Sequence, residues 1–255
     1  MKLQFLFPII LMAVFLAYSL YTVRRRRAGM PQAFRMFFER TGYRYAEIAD
    51  RPLEEQIAHG QTLMAGARGG YRAHMLRDYH GLPVHSVQET GHRQEGGKSV
   101  STMSASWFCP LAQAPRIRLQ VAERSLTGGL RKGLAEAFTS RERVWHQAYP
   151  LAVESGDAEL DRRFQFFGYD QAAVRHALSA PGLRELLLGC AEVDLVVHAD
   201  RVEFADPMQK NMTAGMGGTI GMMAMGGDMT RWMEMTIPVH DRIAQLLGTA
   251  ARACA

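Results

Sequence analysis

Cysteine is scarce in this chain. Cys109, Cys190 and Cys254 are odd in number and far apart, which excludes a disulfide framework and suits a reducing compartment. No C-x-x-C pair occurs, so no thiol redox motif or cysteine zinc site is spelled out. The G-x-S-x-G nucleophile elbow and the H-E-x-x-H zinc helix are also missing. Gly91–Ser99 approaches a phosphate loop, but five residues separate Gly91 from Gly97, and the run falls between two strand-like segments with no helix after it. Gly215 and Gly217 do not extend to a dinucleotide fingerprint, since the third position is Ile220. No catalytic residue and no cofactor follow from these motifs.

Acidic residues are absent before residue 28, and that absence explains the basic balance of the chain. There are 30 Lys+Arg against 25 Asp+Glu, and Lys2 with Arg24, Arg25, Arg26 and Arg27 make up the whole excess of five. The rest is neutral overall and lacks the basic footprint a nucleic-acid binder needs.

Leu3–Val23 is a 21-residue run without an acidic or basic side chain apart from its tyrosines. As a helix it spans ~31 Å, the thickness of a bilayer's hydrocarbon core. Tyr18 and Tyr21 lie where an interfacial aromatic belt belongs. The four arginines follow the run, whereas a cleaved signal carries its charge first and ends in a small-residue site. The expectation is a retained single-pass anchor in the cell inner membrane, contacting lipid through residues 3–23. Arg24–Arg27 then place the body on the cytoplasmic side.

The remainder reads as α+β: helical pattern at Pro31–Arg40 and Pro52–Ala65, then period-two strands at Tyr71–Tyr79, Leu82–Thr90 and Lys98–Phe108 joined by His80-Gly81 and Glu95-Gly96-Gly97. Arg116–Val121 alternates as a strand with one wet face, and Leu126–Phe138 is a weak helix. After about residue 143 come strands at Val144–Val153 and Arg162–Gly168, a helix capped by Asp170, a helix at Pro181–Cys190, a hairpin of Glu192–His198 with Arg201–Phe204, and a helix at Pro238–Ala253. Short turns between successive strands imply an antiparallel sheet with flanking helices. The organisation is an anchor with its basic stop at 1–27, a first half of the body at 28–142, and a second half at 143–255 with a Met/Gly-rich insert at 207–235.

The segments LPVHSVQET, SWFCPLAQAPRIRLQV, ELDRRFQFFGYDQAAVRHALSAPGLRELLL and DLVVHADRVEF occur in an order that resembles a group of uncharacterised bacterial membrane-anchored proteins of unknown function. The resemblance covers roughly residues 70–206 and implies no activity.

Three sets of residues stand out. His74, His80, His85 and His92 fall on one expected hairpin, where imidazoles could converge on zinc or copper, but no neighbouring Cys or carboxylate completes a set. Asp161, Arg162, Arg163, Tyr169 and Asp170 flank a strand and read as edge ion pairs. Met208–Met235 holds nine methionines and six glycines. In a helix from Met222 to Met235, Met222, Met225, Met229 and Met233 share one face, opposite Asp228, Arg231 and Glu234. Met225, Met229, Trp232 and Met233 then offer an adaptable surface to a partner. The same four methionines are the candidates for a soft metal such as copper. The expected role is non-enzymatic, an interaction or scaffold protein with a protein partner; the alternatives are an enzyme with a dispersed site and a Met-rich copper binder.

Overall fold

The computed structural model of the protein describes residues 3–66, 71–95, 98–124, 147–190, 193–206 and 228–255. Helix α1 covers Leu3–Thr41, ~58 Å of continuous helix. The sequence suggests two helices here, one ending near Val23 and one starting at Pro31. They are one, with both Pro8 and Pro31 inside it. Pro31 is exposed, so water can take over the carbonyl its missing N–H leaves free. Among the described residues no helix is long and apolar enough to cross a membrane.

After α1 come β1 (Arg44–Tyr45), a 3₁₀ turn and α2 (Leu53–Gly66), then β2 (Tyr71–Tyr79), β3 (Leu82–Glu95), β4 (Lys98–Pro110) and β5 (Leu119–Glu123). The second half supplies β6 (Leu151–Val153), α3 (Ala158–Arg163), β7 (Phe164–Gly168), α4 (Gln171–Leu178), α5 (Leu183–Gly189), β8 (Asp194–Val197), β9 (Arg201–Asp206) and α6 (Met229–Cys254). The nine described strands form one sheet in the order β1-β2-β3-β4-β9-β8-β5-β7-β6, antiparallel at every pairing. The α+β class with an antiparallel sheet is thus the observed one. The two halves of the body share this sheet, because β4 pairs with β9 and β5 lies between β8 and β7.

Several boundaries differ from the sequence expectation, each for a local reason. The strand expected at Arg116–Val121 is Leu119–Glu123, and it has no wet face, since Leu119, Gln120, Val121 and Ala122 are all buried in the middle of the sheet. The Arg116 and Ile117 amides instead donate to the Cys254 carbonyl at the end of α6. Only Leu151–Val153 of the segment expected at Val144–Val153 is strand among the described residues. Arg162 and Arg163 close α3 rather than open β7, because Asp157 starts that helix by accepting from the Glu159 and Leu160 amides. Asp170 caps α4 as expected, accepting from Ala173 N. The helix expected at Leu126–Phe138 lies outside the described residues.

The last helix is longer than expected, starting at Met229 rather than Pro238. Its buried positions Met229, Met233, Thr236, His240, Ile243, Leu247, Ala250 and Cys254 advance by alternate steps of four and three, a continuous seam. Pro238 sits on the exposed side of that seam. The upper part of α6 packs with Ala33, Phe34, Phe37 and Phe38 of α1 and with Ile57, Ala73 and Met75. The lower part joins Trp107, Val121, Phe164, Phe166, Leu187 and Phe204 in the larger core. Arg25 contacts Asp228 and Phe37 contacts His240, the same spacing on both helices, so α1 and α6 run parallel.

Gly248 lets α6 approach β2, since a Cβ there would lie 2.6 Å from the Tyr79 ring, which is flanked by Arg77 and Arg252. Gly248→Ala should therefore lower stability by ~1–3 kcal/mol, overriding the ~1 kcal/mol it gains in helix propensity. Phe38→Ala should cost ~3–5 kcal/mol. Urea unfolding of the full chain checks both; a Gly248→Ala variant more stable than the wild type would remove the close contact.

Candidate functional site

The region with the clearest functional geometry is the junction where α1 enters the body. Among the described residues six large apolar side chains are exposed, and four lie on one stretch of α1: Tyr18, Leu20, Tyr21 and Val23. Arg24–Arg27 follow directly. Arg25 pairs with Asp228 at 3.1 Å, and Asp228 also caps α6 by accepting from Arg231 N. The pair is half exposed and contributes ~0–1 kcal/mol. Its use is positional: α6 begins at the level of the arginine run.

That geometry settles where some of the methionines go. Met229 and Met233 face inward and are 2% and 8% exposed, so the surface they were expected to offer a partner is spent on α1 packing. Asp228, placed by sequence on the polar face of a helix over Met222–Met235, is the cap of α6 instead. Met222, Met225 and the Gly226-Gly227 pair lie outside the described residues, as does the Trp232 side chain.

Beneath the junction is a buried polar layer between the sheet and α6. His240 stacks edge-on with Phe37 (5.1 Å), Tyr43 (5.5 Å) and Trp107 (5.8 Å). The Arg77 guanidinium lies over Tyr43 and donates to Asp241 Oδ1 at 2.6 Å. Ser86 stands directly opposite Trp107 on the neighbouring strand. Among the described residues Tyr43 Oη, Arg77 Nε, Ser86 Oγ, Trp107 Nε1 and His240 Nδ1 are buried without a hydrogen-bond partner. Burial, helped by the Arg77 charge, holds His240 neutral, with its pKa down at about 3. Burial also pushes the Tyr43 hydroxyl well above its usual range. Sequence inspection missed this layer because its members come from α1's end, three strands and α6.

On the opposite face of the same strands are the hairpin histidines. His74 Nε2 and His85 Nδ1 are 3.0 Å apart, and the His85 ring stacks on Phe108 at 4.6 Å with planes 4° apart. His80 is not with them: it sits in the turn with φ +52° and packs on Tyr79. The His92 side chain lies outside the described residues. No group of three or more His, Cys, Asp or Glu poised for a metal occurs among the described residues.

The remaining candidates resolve into structure. Arg163 pairs with Glu123 at 3.3 Å and donates to the Leu188 and Cys190 carbonyls, closing the end of α5. Asp161 accepts from the Ser155 and Gly156 amides in the turn before α3. An open groove of about 240 Å³ is lined by Pro115, Arg116, Ile117, Arg118, Tyr169, Asp170 and Ala173. No protein-family model matches this chain, and neither a curated protein nor a solved structure matches it significantly.

The His240 environment sets a pH dependence. The unfolded chain takes up a proton near pH 6.5, whereas the native chain resists until about pH 3. Stability should be level above pH 6.5 and fall by ~1.4 kcal/mol per pH unit between those values on this account. Denaturant unfolding at pH 7, 5.5 and 4.5 measures it. His240→Phe should show a slope shallower by one proton; equal slopes would mean that His240 is not the group responsible.

Proposed function

We propose that the chain is a single-pass protein of the cell inner membrane, anchored through residues 3–23, with its α+β body in the cytoplasm. The body acts by contact with other proteins, as an interaction or scaffold module. One observation carries the reading: α1 runs without a break from the apolar segment into the aromatic core, leaving Tyr18, Leu20, Tyr21 and Val23 exposed just before the arginines. Exposed side chains of this size in water forgo ~25 cal/mol per Å² of apolar surface, which lipid would recover. Arg24–Arg27 at that boundary suit anionic head groups, at ~1 kcal/mol each.

The unbroken helix has a mechanical consequence. Residues 24–41 descend ~27 Å from the proposed bilayer surface with no linker, and Phe34, Phe37 and Phe38 lock them into the body. The body is therefore held at fixed height and rotation, which restricts the partners it can meet. That is a property of scaffolds and of proteins working on membrane neighbours.

A second reading, a small-molecule site, is favoured by the buried polar layer. An unpartnered buried polar group costs ~1–3 kcal/mol, and five belong to one connected set rich in donors. A small ligand bearing carbonyl or carboxylate acceptors would complement it.

Carbonate extraction and C-terminal reporter fusions test the anchored reading. The chain should stay in the membrane pellet, with a C-terminal green fluorescent protein bright and a C-terminal alkaline phosphatase inactive. Release by carbonate, or a mature N-terminus near Ala28, would remove the anchor; active phosphatase would reverse the orientation.

A further inference from the structure

The hairpin β2–β3 is joined by His80-Gly81, both with positive φ, a two-residue turn that fixes the register. Tyr79 then faces Leu82, His74 faces Val87, and Leu76 faces His85. His74 and His85 are diagonal neighbours on one face, within reach of long side chains across a twisted pair. That face is not the one packed on α6. The residues alternating with them, Ala73, Met75, Val84 and Ser86, are buried, as is Val87 on the histidines' own face, while both histidines are half-buried. Phe108 of β4, directly opposite His85, stacks on its ring and holds its plane.

We propose that His74 Nε2 and His85 Nδ1 form a two-imidazole binding site for a borderline divalent transition-metal cation, of the Zn(II) or Cu(II) class, with water completing the coordination. Two nitrogens at ~2.0–2.1 Å from one ion stand ~2.9–3.3 Å apart for angles of ~90–109° at the metal. The observed separation of 3.0 Å is within that window. The ring centroids are 5.2 Å apart and the planes are 34° from parallel, so the nitrogens point toward each other. In that arrangement one proton is shared between them. The cation takes the place of that proton, and each ring swings slightly to bring both lone pairs onto the ion, with no strand moving.

Two features favour the exchange. The half-buried setting and the neighbouring His74 both lower the basicity of His85, which favours its neutral, ligating form. On binding, the proton between the rings moves to the outer nitrogen that lacked one, so His74 Nδ1 and His85 Nε2 both carry protons and both ligating imidazoles are neutral. An imidazole pair open to water suits a borderline ion, and the order of affinity should follow Cu(II) above Zn(II). The site stands apart from the methionines and from the anchor, so it depends on neither.

The test uses the full chain in detergent, titrated with Zn(II) alone and Cu(II) alone at pH 7.5. One equivalent of each should bind to this pair, with Cu(II) the tighter. His74→Gln and His85→Gln should each weaken binding at least tenfold, and affinity should fall on acidification as protons compete with the metal for its ligands. Circular dichroism of the metal-free variants shows whether they remain folded. Electron paramagnetic resonance of the Cu(II)-loaded wild type, which needs no variant, should show two equatorial imidazole nitrogens. Unchanged affinity in a folded His74→Gln/His85→Gln variant, no binding by the wild type at 100-fold molar excess of metal, or a spectrum without imidazole nitrogens would each overturn the proposal.

Discussion

The structure depends on one contact, the parallel docking of the first helix on the last. The seam of α6 meets α1 through Met229, Met233 and Ile237 and then turns its later positions onto the sheet. One helix therefore belongs to two cores. Remove it and the aromatic end of α1 loses a wall, β2–β4 lose their cover, and the Arg116 and Ile117 amides lose the Cys254 carbonyl. Both ends of the chain take part, and β4 with β9 repeats the pattern in the sheet. Contacts of such long sequence separation must wait for most of the chain, the mark of slow, concerted folding.

Much of this was legible in the sequence. The limits of β2, the starts of β3 and β4, the Asp170 cap and the amphipathic end of the chain follow from period and turn residues, because those signals are local, whereas β3 runs on to Glu95, past its expected end at Thr90. What was hidden is non-local. Nothing in the periodicity of Pro31–Arg40 says that the helix continues through Pro31 from the apolar run; an exposed proline and a buried aromatic face decide it together. Arg116–Val121 alternates cleanly, yet both faces of β5 are covered, Leu119 and Val121 by the larger core and Ala122 by Tyr149 and Phe167, elements far away in sequence. Met229 and Met233 read as a surface for another protein because a methionine stripe looks the same whether its partner is foreign or is α1.

The histidine pair was nearer to legible. His80-Gly81 is recognisable as a turn, and a two-residue turn makes the register arithmetic: positions facing each other add to one constant. His80 is itself part of the turn and so leaves the set. Carrying the register across places His85 diagonal to His74, and the pairing of β3 with β4 carries it on to Phe108. The buried layer gives no such handle. Tyr43, Arg77, Ser86, Trp107 and His240 are spread over most of the chain, with no spacing that relates them.

Strand alternation then explains how one small sheet region carries two chemistries. On β4, Trp107 points to His240 and the α6 side, while its neighbour Phe108 points the other way and stacks on His85. On β3, Ser86 belongs to the buried layer and His85 to the open pair. The two sets touch the same backbone but meet different solvents. Deep burial holds His240 neutral down to about pH 3, while His74 and His85 are only half-buried on the other face. The residue type is the same; the dielectric on each face decides whether a histidine is a neutral packing ring or a ligand. Because α1 fixes this sheet to the arginine run without a flexible joint, both faces keep a constant disposition to that end of the helix.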